Sequence, residues 1–284
     1  MKICSLKKLK RKLKRKLTKE YYKAAQAPFL DVVNTDEYIQ LDKVSTIYES
    51  LKETLEKPLK MILLFGKPGT GKSMMLNRLY NELKDKIPTA IYYTPLVDEI
   101  EFIKSLARDI LNFNPNNDFS FTQLIELLEE KSFETTPIVF LDEAQLYSDS
   151  LLEKIRLISD TRKVKFVVTL HKTDKEDLIA KEHFQTRIWQ SIELHNALKQ
   201  ELLVYIQKKL LKHSQFDLAN QFQKSQVNLI YKFTQGNYRD TNKLLYTLFE
   251  LYMEYLEQSP HKVSTSNISK KLIEMAAIKS GFIS

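Results

Sequence analysis

Glycine is scarce in this chain, with five in 284 residues, well below the ~7% of an average protein. Cysteine is scarcer. Cys4 stands alone, which excludes an intramolecular disulfide and any zinc site built on cysteines. The five histidines (171, 183, 195, 213 and 261) show no i,i+4 spacing, so no metal site of the protein's own is expected. No apolar run approaches the ~20 residues of a membrane span. The basic N-terminus also lacks the apolar core of about 7–15 residues that a signal peptide carries. These absences predict a cytoplasmic protein, with peripheral attachment at the inner face of the cytoplasmic membrane left open by that N-terminus.

What is present is ordinary globular composition, 43% hydrophobic and 28% charged, at a length suited to roughly two domains. The net charge of +8 is misleading as a global property. Residues 2–19 hold ten Lys/Arg and no acid, so the other 34 basic and 36 acidic residues leave the body at −2. The positive charge is a tail. Within it Leu6, Leu9, Leu13 and Leu17 fall at helical spacing, giving a narrow apolar stripe on a cationic helix. Such a helix suits an anionic membrane surface, a protein partner or nucleic-acid phosphates, and it also suits a solvated tail with no ligand.

Three of the five glycines are concentrated in Gly66-Lys67-Pro68-Gly69-Thr70-Gly71-Lys72-Ser73. This is the G-x-x-x-x-G-K-[ST] phosphate-binding loop. Glycines let the backbone curl so that its N–H groups face an anion, and the helix that follows adds its positive end. Lys72 is expected on the β/γ-phosphates and Ser73 on Mg²⁺, with Met74 next in line on the helix. The apolar run Met61–Phe65 before the loop reads as a buried strand, and Ser73–Tyr80 after it as a helix.

Strand signals recur at Ala90–Thr94, Pro137–Leu141, Val164–Leu170 and Gln190–Leu194, between helices at 41–56, 97–113, 120–131 and 151–158. After Leu198 only helices are read, at 197–213, 216–234, 238–257 and 266–280. The expected fold is α/β, a parallel five-stranded sheet followed by an all-helical domain. The expected boundaries are a tail at 1–25, a nucleotide-binding domain at 26–196 and a helical domain at 197–284. The third strand runs into Asp142-Glu143. In a P-loop protein the first acid can hold the Mg²⁺ shell, and the second can orient and deprotonate an attacking water.

Pro137–Leu146 and the P-loop resemble the AAA+ ATPases of the ExeA/GspA type, bacterial ATPases of type II secretion and pilus-like envelope machinery. Transposition-helper and origin-recognition ATPases are related to them. Ala27-Pro28-Phe29, Asp36-Glu37-Tyr38, Gln185-Thr186-Arg187-Ile188 and Phe233–Arg239 extend the likeness. The resemblance implies ATP and Mg²⁺ as cofactors and a helical lid. It implies an arginine finger at Arg187 acting in a neighbouring subunit, hence a homo-oligomer. It further implies a nucleotide contact from Arg239 in the lid and a polar sensor at His171, where Thr169 is a rival. Family members commonly continue into a transmembrane helix and a peptidoglycan-binding domain, which these 284 residues do not contain; a winged helix after residue 260 is not expected either. The function expected first is an ATP-driven motor or switch for an envelope assembly, with an envelope protein as partner. The alternative is a DNA-binding ATPase of the transposition-helper or replication-initiator kind, and a third reading is a nucleotide-binding regulator without turnover.

Overall fold

A computed structural model describes residues 19–93, 98–171, 186–262, 264 and 266–283. The basic stretch up to residue 18 and Gln185 lie outside the described residues, as does Thr94 at the end of the expected second strand.

Five strands form one parallel sheet: β1 (Met61–Gly66), β2 (Thr89–Tyr92), β3 (Ile138–Leu141), β4 (Lys165–His171) and β5 (Ile188–Glu193), in the order β2-β3-β4-β1-β5. Alternation along the strands supplies two cores. Met61, Leu63, Val139, Leu141, Phe166 and Val168 face one side, and Ile62, Leu64, Ile138, Phe140 and Val167 face the other. Helix α2 (Asp42–Leu55) and helix α3 (Lys72–Leu83) cover the second side through Tyr48, Leu51, Met75 and Leu79. On the first side Phe102, Leu106, Leu124, Leu128, Leu152 and Ile155 come from α4 (Glu99–Leu111), α5 (Phe121–Glu130) and α6 (Asp149–Asp160). Each fully buried side chain of this size contributes about 1.5–3 kcal/mol, so the central strands are fixed in register. A capping box starts α5, with the Ser120 N–H donating to Gln123 Oε1 at 2.8 Å and the Gln123 N–H to Ser120 Oγ at 3.3 Å. Strand β5 is an edge, and it carries the chain's single tryptophan, Trp189, 60% exposed.

The chain divides into two compact units. One is Lys43–His195, which holds the sheet. The other joins the residues up to Asp42 to Asn196–Ser284. Residues 26–42, expected with the sheet domain, therefore belong with the helices. The reason is aromatic packing across a long sequence separation. The N-terminal helix α1 (19–26) buries Tyr22 in a stack on Tyr252, with ring centroids 4.7 Å apart. Phe29, in the 3₁₀ turn that ends this helix, packs on Phe249 at 5.9 Å. The remaining helices of that unit are α7 (Lys199–Lys212), α8 (Phe216–Gln221), α9 (Lys224–Thr234), α10 (Tyr238–Gln258) and α11 (Lys270–Lys279). The single helix expected over 216–234 is two. Phe222 turns to an extended conformation and is fully buried, and the Gln223 N–H donates to Gln226 Oε1 at 3.3 Å, which starts α9 afresh. Among the described residues no helix is long and apolar enough to cross a membrane.

Candidate active site

All five strands point the same way, so their carboxyl ends share one edge of the sheet, the usual place for a ligand in a parallel α/β fold. Strand β1 enters the loop through Gly66, whose φ is +153°. A β-carbon there would sit 2.3 Å from the carbonyl oxygen of Leu194, so only glycine fits. Gly69 and Gly71 take φ values of +78° and +94°, and Gly71 is the left-handed residue from which α3 starts. The helix has no side-chain cap at that end, which leaves its first N–H groups directed at the loop mouth. Thr70 Oγ1 closes the loop by donating to the Lys67 carbonyl at 2.9 Å. Lys72 is 4% exposed, and its Nζ donates to the carbonyls of Gly66 (2.8 Å) and Lys67 (3.0 Å). Its ammonium is thus held against the loop. Pro68 and Gly69 form the loop's bend, and Met74 is a half-buried residue of the first turn of α3.

Strand pairing brings the second motif alongside. Leu141 of β3 pairs with Val168 of β4, so the next residues, Asp142 and Thr169, come level; Gly66 of β1 pairs with His171 of β4. Asp142 is 6% exposed, and its N–H donates to the Tyr92 carbonyl at 2.9 Å, in line with the sheet. Glu143 leaves that line. Its backbone is left-handed, φ 52° and ψ 46°, which is uncommon for a residue with a β-carbon. Its N–H donates to Thr169 Oγ1 (3.0 Å) and Asp142 Oδ1 (3.1 Å). The Thr169 hydroxyl in turn donates to Asp142 Oδ1. The His171 ring lies 3.3 Å from Glu143 Oε1, and the backbone N–H of His171 donates to Gln145 Oε1 at 3.2 Å. Of the two rival sensor residues, Thr169 contacts Asp142 and the backbone of Glu143, whereas His171 contacts the Glu143 carboxylate.

Two further residues join the site. Asn77, one turn after Ser73 on α3, donates to the Ser73 carbonyl at 2.8 Å, and the Tyr93 hydroxyl donates to Asn77 Oδ1 at 2.6 Å. Burial and the neighbouring Tyr80 and Asp142 push the Tyr93 phenol up, so it stays a donor. The i,i+4 spacing of Ser73 and Asn77 is legible in the sequence, but the partner Tyr93 is not.

Residues 40–177 match the sequence profile of the AAA domain family. The sheet unit has the AAA+ P-loop fold. Among curated proteins none matches by sequence. Solved structures with the AAA+ fold include Cdc6p from Pyrobaculum aerophilum, 16% identical, covering 89% of this chain and 70% of its own, with a TM-score of 0.61. The Walker-type ATPase of Pyrococcus abyssi is 16% identical over 89% of this chain and 76% of its own, TM-score 0.59. The Aeropyrum pernix ORC1 protein, solved in complex with DNA, is 15% identical over 89% and 69%, TM-score 0.58.

Arg187 of this chain lies at the other edge of the sheet. It precedes β5, so it sits where the strands begin, and its guanidinium grips Asp160 with Nε at 3.2 Å and an Nη at 3.0 Å. Lys60 (2.6 Å) and Arg156 (3.3 Å) bind the same carboxylate. The Arg187 bond and Lys60 hold that carboxyl down at about 2. The structure therefore does not bring Arg187 to the phosphate loop of its own chain. Arg239 belongs to the helical unit, in the first turn of α10, exposed and 3.5 Å from Asp31. Gly236 before it, at φ +75°, is required, because a β-carbon would lie 2.0 Å from the Ala197 carbonyl oxygen.

Proposed function

We propose that the chain binds and hydrolyses ATP as an AAA+ switch that works on nucleic acid, the alternative to the envelope function expected first from the sequence. The observation that carries the hydrolytic part is the juxtaposition, through the β3–β4–β1 register, of the loop holding Lys72 with Asp142, Glu143, Thr169 and His171. The Gly66–Ser73 backbone and the start of α3 cradle the phosphates. Lys72 exchanges its bonds to Gly66 and Lys67 for phosphate oxygens. The Ser73 hydroxyl and the Asp142 carboxylate are hard oxygen donors and fit Mg²⁺, which when bound offsets charge on the phosphate oxygens. Glu143 orients a water and accepts its proton. Arg187 and Arg239 complete the site, the first in a neighbouring copy and the second from the helical unit.

Support for nucleic acid as the target comes from the similarity to the Cdc6p and ORC1 structures, the second solved in complex with DNA, and from the ten cations of residues 2–19. None of the structures named above is described as an envelope ATPase, so the secretion reading rests on the sequence resemblance alone. The test is direct. Glu143→Gln in the full chain should keep ATP affinity and lose turnover by about two to four orders of magnitude. DNA binding with a steep salt dependence, lost on deleting residues 1–20, would support the nucleic-acid assignment. Co-sedimentation with anionic vesicles, lost on the same deletion and without DNA binding, would return the envelope reading.

A further inference from the structure

The loop between α4 and α5 and the outer face of α5 enclose a groove of about 330 Å³, none of whose residues belongs to the nucleotide site. Helix α4 ends at Asn112, which turns left-handed (φ 52°), and the Phe113 N–H donates back to the Ala107 carbonyl at 3.2 Å. That turn sets the Phe113 ring against Phe119, with centroids 5.5 Å apart, and leaves Phe113 39% exposed. Lys104 Nζ braces the loop by donating to the Asn117 carbonyl at 3.1 Å. The rest of the lining comes from α5, which presents exposed Glu126 and Glu130 one turn apart and half-buried Leu127.

Carboxylates on the neighbouring helices are matched: Glu101 by Arg108, Glu99 by Lys154 and Glu153 by Arg156. Among the described residues Glu126 and Glu130 have no ion-pair partner, and α5 itself contains no Lys or Arg. Like charges four apart on a helix repel, and Glu130 stands in the last turn, where the helix end is already negative. A cation brought from outside relieves both. We infer that the groove docks an arginine-bearing segment of a partner protein. A planar guanidinium lies on an aromatic face and forks onto carboxylates, a combination that an ammonium, a point charge, lacks. The volume is at the low end for ligand pockets, enough for one long side chain and part of its neighbour. Asn114, Asn116 and the Gln123 amide, whose oxygen already accepts the Ser120 N–H, then offer donors to the peptide backbone. A metal ion is a poor occupant, since among the described residues no three His, Cys, Asp or Glu side chains gather to hold one. Nucleic acid is another, because both acids repel phosphate. This surface is therefore separate from the nucleic-acid function proposed above.

The full chain is titrated against a short fluorescein-labelled peptide of glycine and serine with a central pair of arginines, and binding is read by anisotropy. The same peptide with lysine, or with uncharged citrulline, is run beside it. The arginine peptide should bind saturably below about 1 mM, with lysine about threefold weaker and citrulline about tenfold weaker. Glu126→Gln combined with Glu130→Gln, which alters no packing, should cost about tenfold, and Phe113→Ala about threefold. Glu129→Gln, on the same helix but outside the groove, should change affinity by less than about twofold. ATP turnover should stay within about twofold in all these variants, which shows that they fold. Equal binding of the arginine and citrulline peptides would overturn the inference, as would an equal loss in Glu129→Gln, which makes the attraction diffuse. A rise of about tenfold in probe affinity on deleting residues 1–18 would overturn it too, because the chain's own basic tail would then be the occupant. So would DNA binding weakened by Phe113→Ala, which makes the groove part of the nucleic-acid surface.

Discussion

At the carboxyl edge of the sheet Asp142 lies buried and takes its bonds from a hydroxyl and a peptide N–H; at the amino edge Asp160 is gripped by Lys60, Arg156 and Arg187. The first carboxylate is oriented and the second is neutralised. An oriented carboxylate keeps its charge for a ligand, whereas a neutralised one holds secondary structure together: Asp160 ties the end of α6 to residues that lead into β1 and β5. Yet the second cluster is not closed. Three cations share Asp160 and Glu153, since Arg156 also bonds Glu153. Asp160 keeps partners if Arg187 leaves, so a guanidinium can be lent to a neighbouring copy without stranding a charge.

The largest test of this contrast is Arg187→Ala. If Arg187 completes a neighbour's site, turnover should fall by about a thousandfold, the lower end for an arginine finger, and mixing the variant with Lys72→Ala should recover part of it. A variant that turns over normally and only melts earlier would make the amino edge purely structural. Next in size, Lys72→Ala should weaken ATP binding by about a hundredfold, the effect of two charge-assisted bonds, with an unaltered fold seen by circular dichroism. The smallest effect concerns pH. The Asp160 carboxyl lies at about 2, below its ordinary 3.8. Its contribution is therefore present above pH ~4 and fades as pH falls toward ~2, a change of at most about 2 kcal/mol and less with solvent screening. Urea melts across that range should show the loss, and Asp160→Asn should flatten it.

The carboxyl edge was largely legible in the sequence because its chemistry depends on contiguous residues. A phosphate nest needs glycines at fixed spacing, and an acid pair needs an apolar strand before it. The choice between Thr169 and His171 was not legible, because it depends on the register of β3 against β4, and neither residue's spacing reveals that pairing. Asp160 was missed for a similar reason: nothing in a helix-ending Asp foretells an arginine 27 residues later. The placement of 26–42 with the helices depends on Tyr22 meeting Tyr252 and Phe29 meeting Phe249, contacts that cross more than two hundred residues.

Trp189 gives this edge an optical use. It is the chain's single tryptophan, 60% exposed, and it stands two residues beyond Arg187. Any event that buries the start of β5, whether docking of a second copy or withdrawal of the arginine from Asp160, changes the water around that indole. Emission excited selectively at the indole therefore reports on the start of β5 without a label.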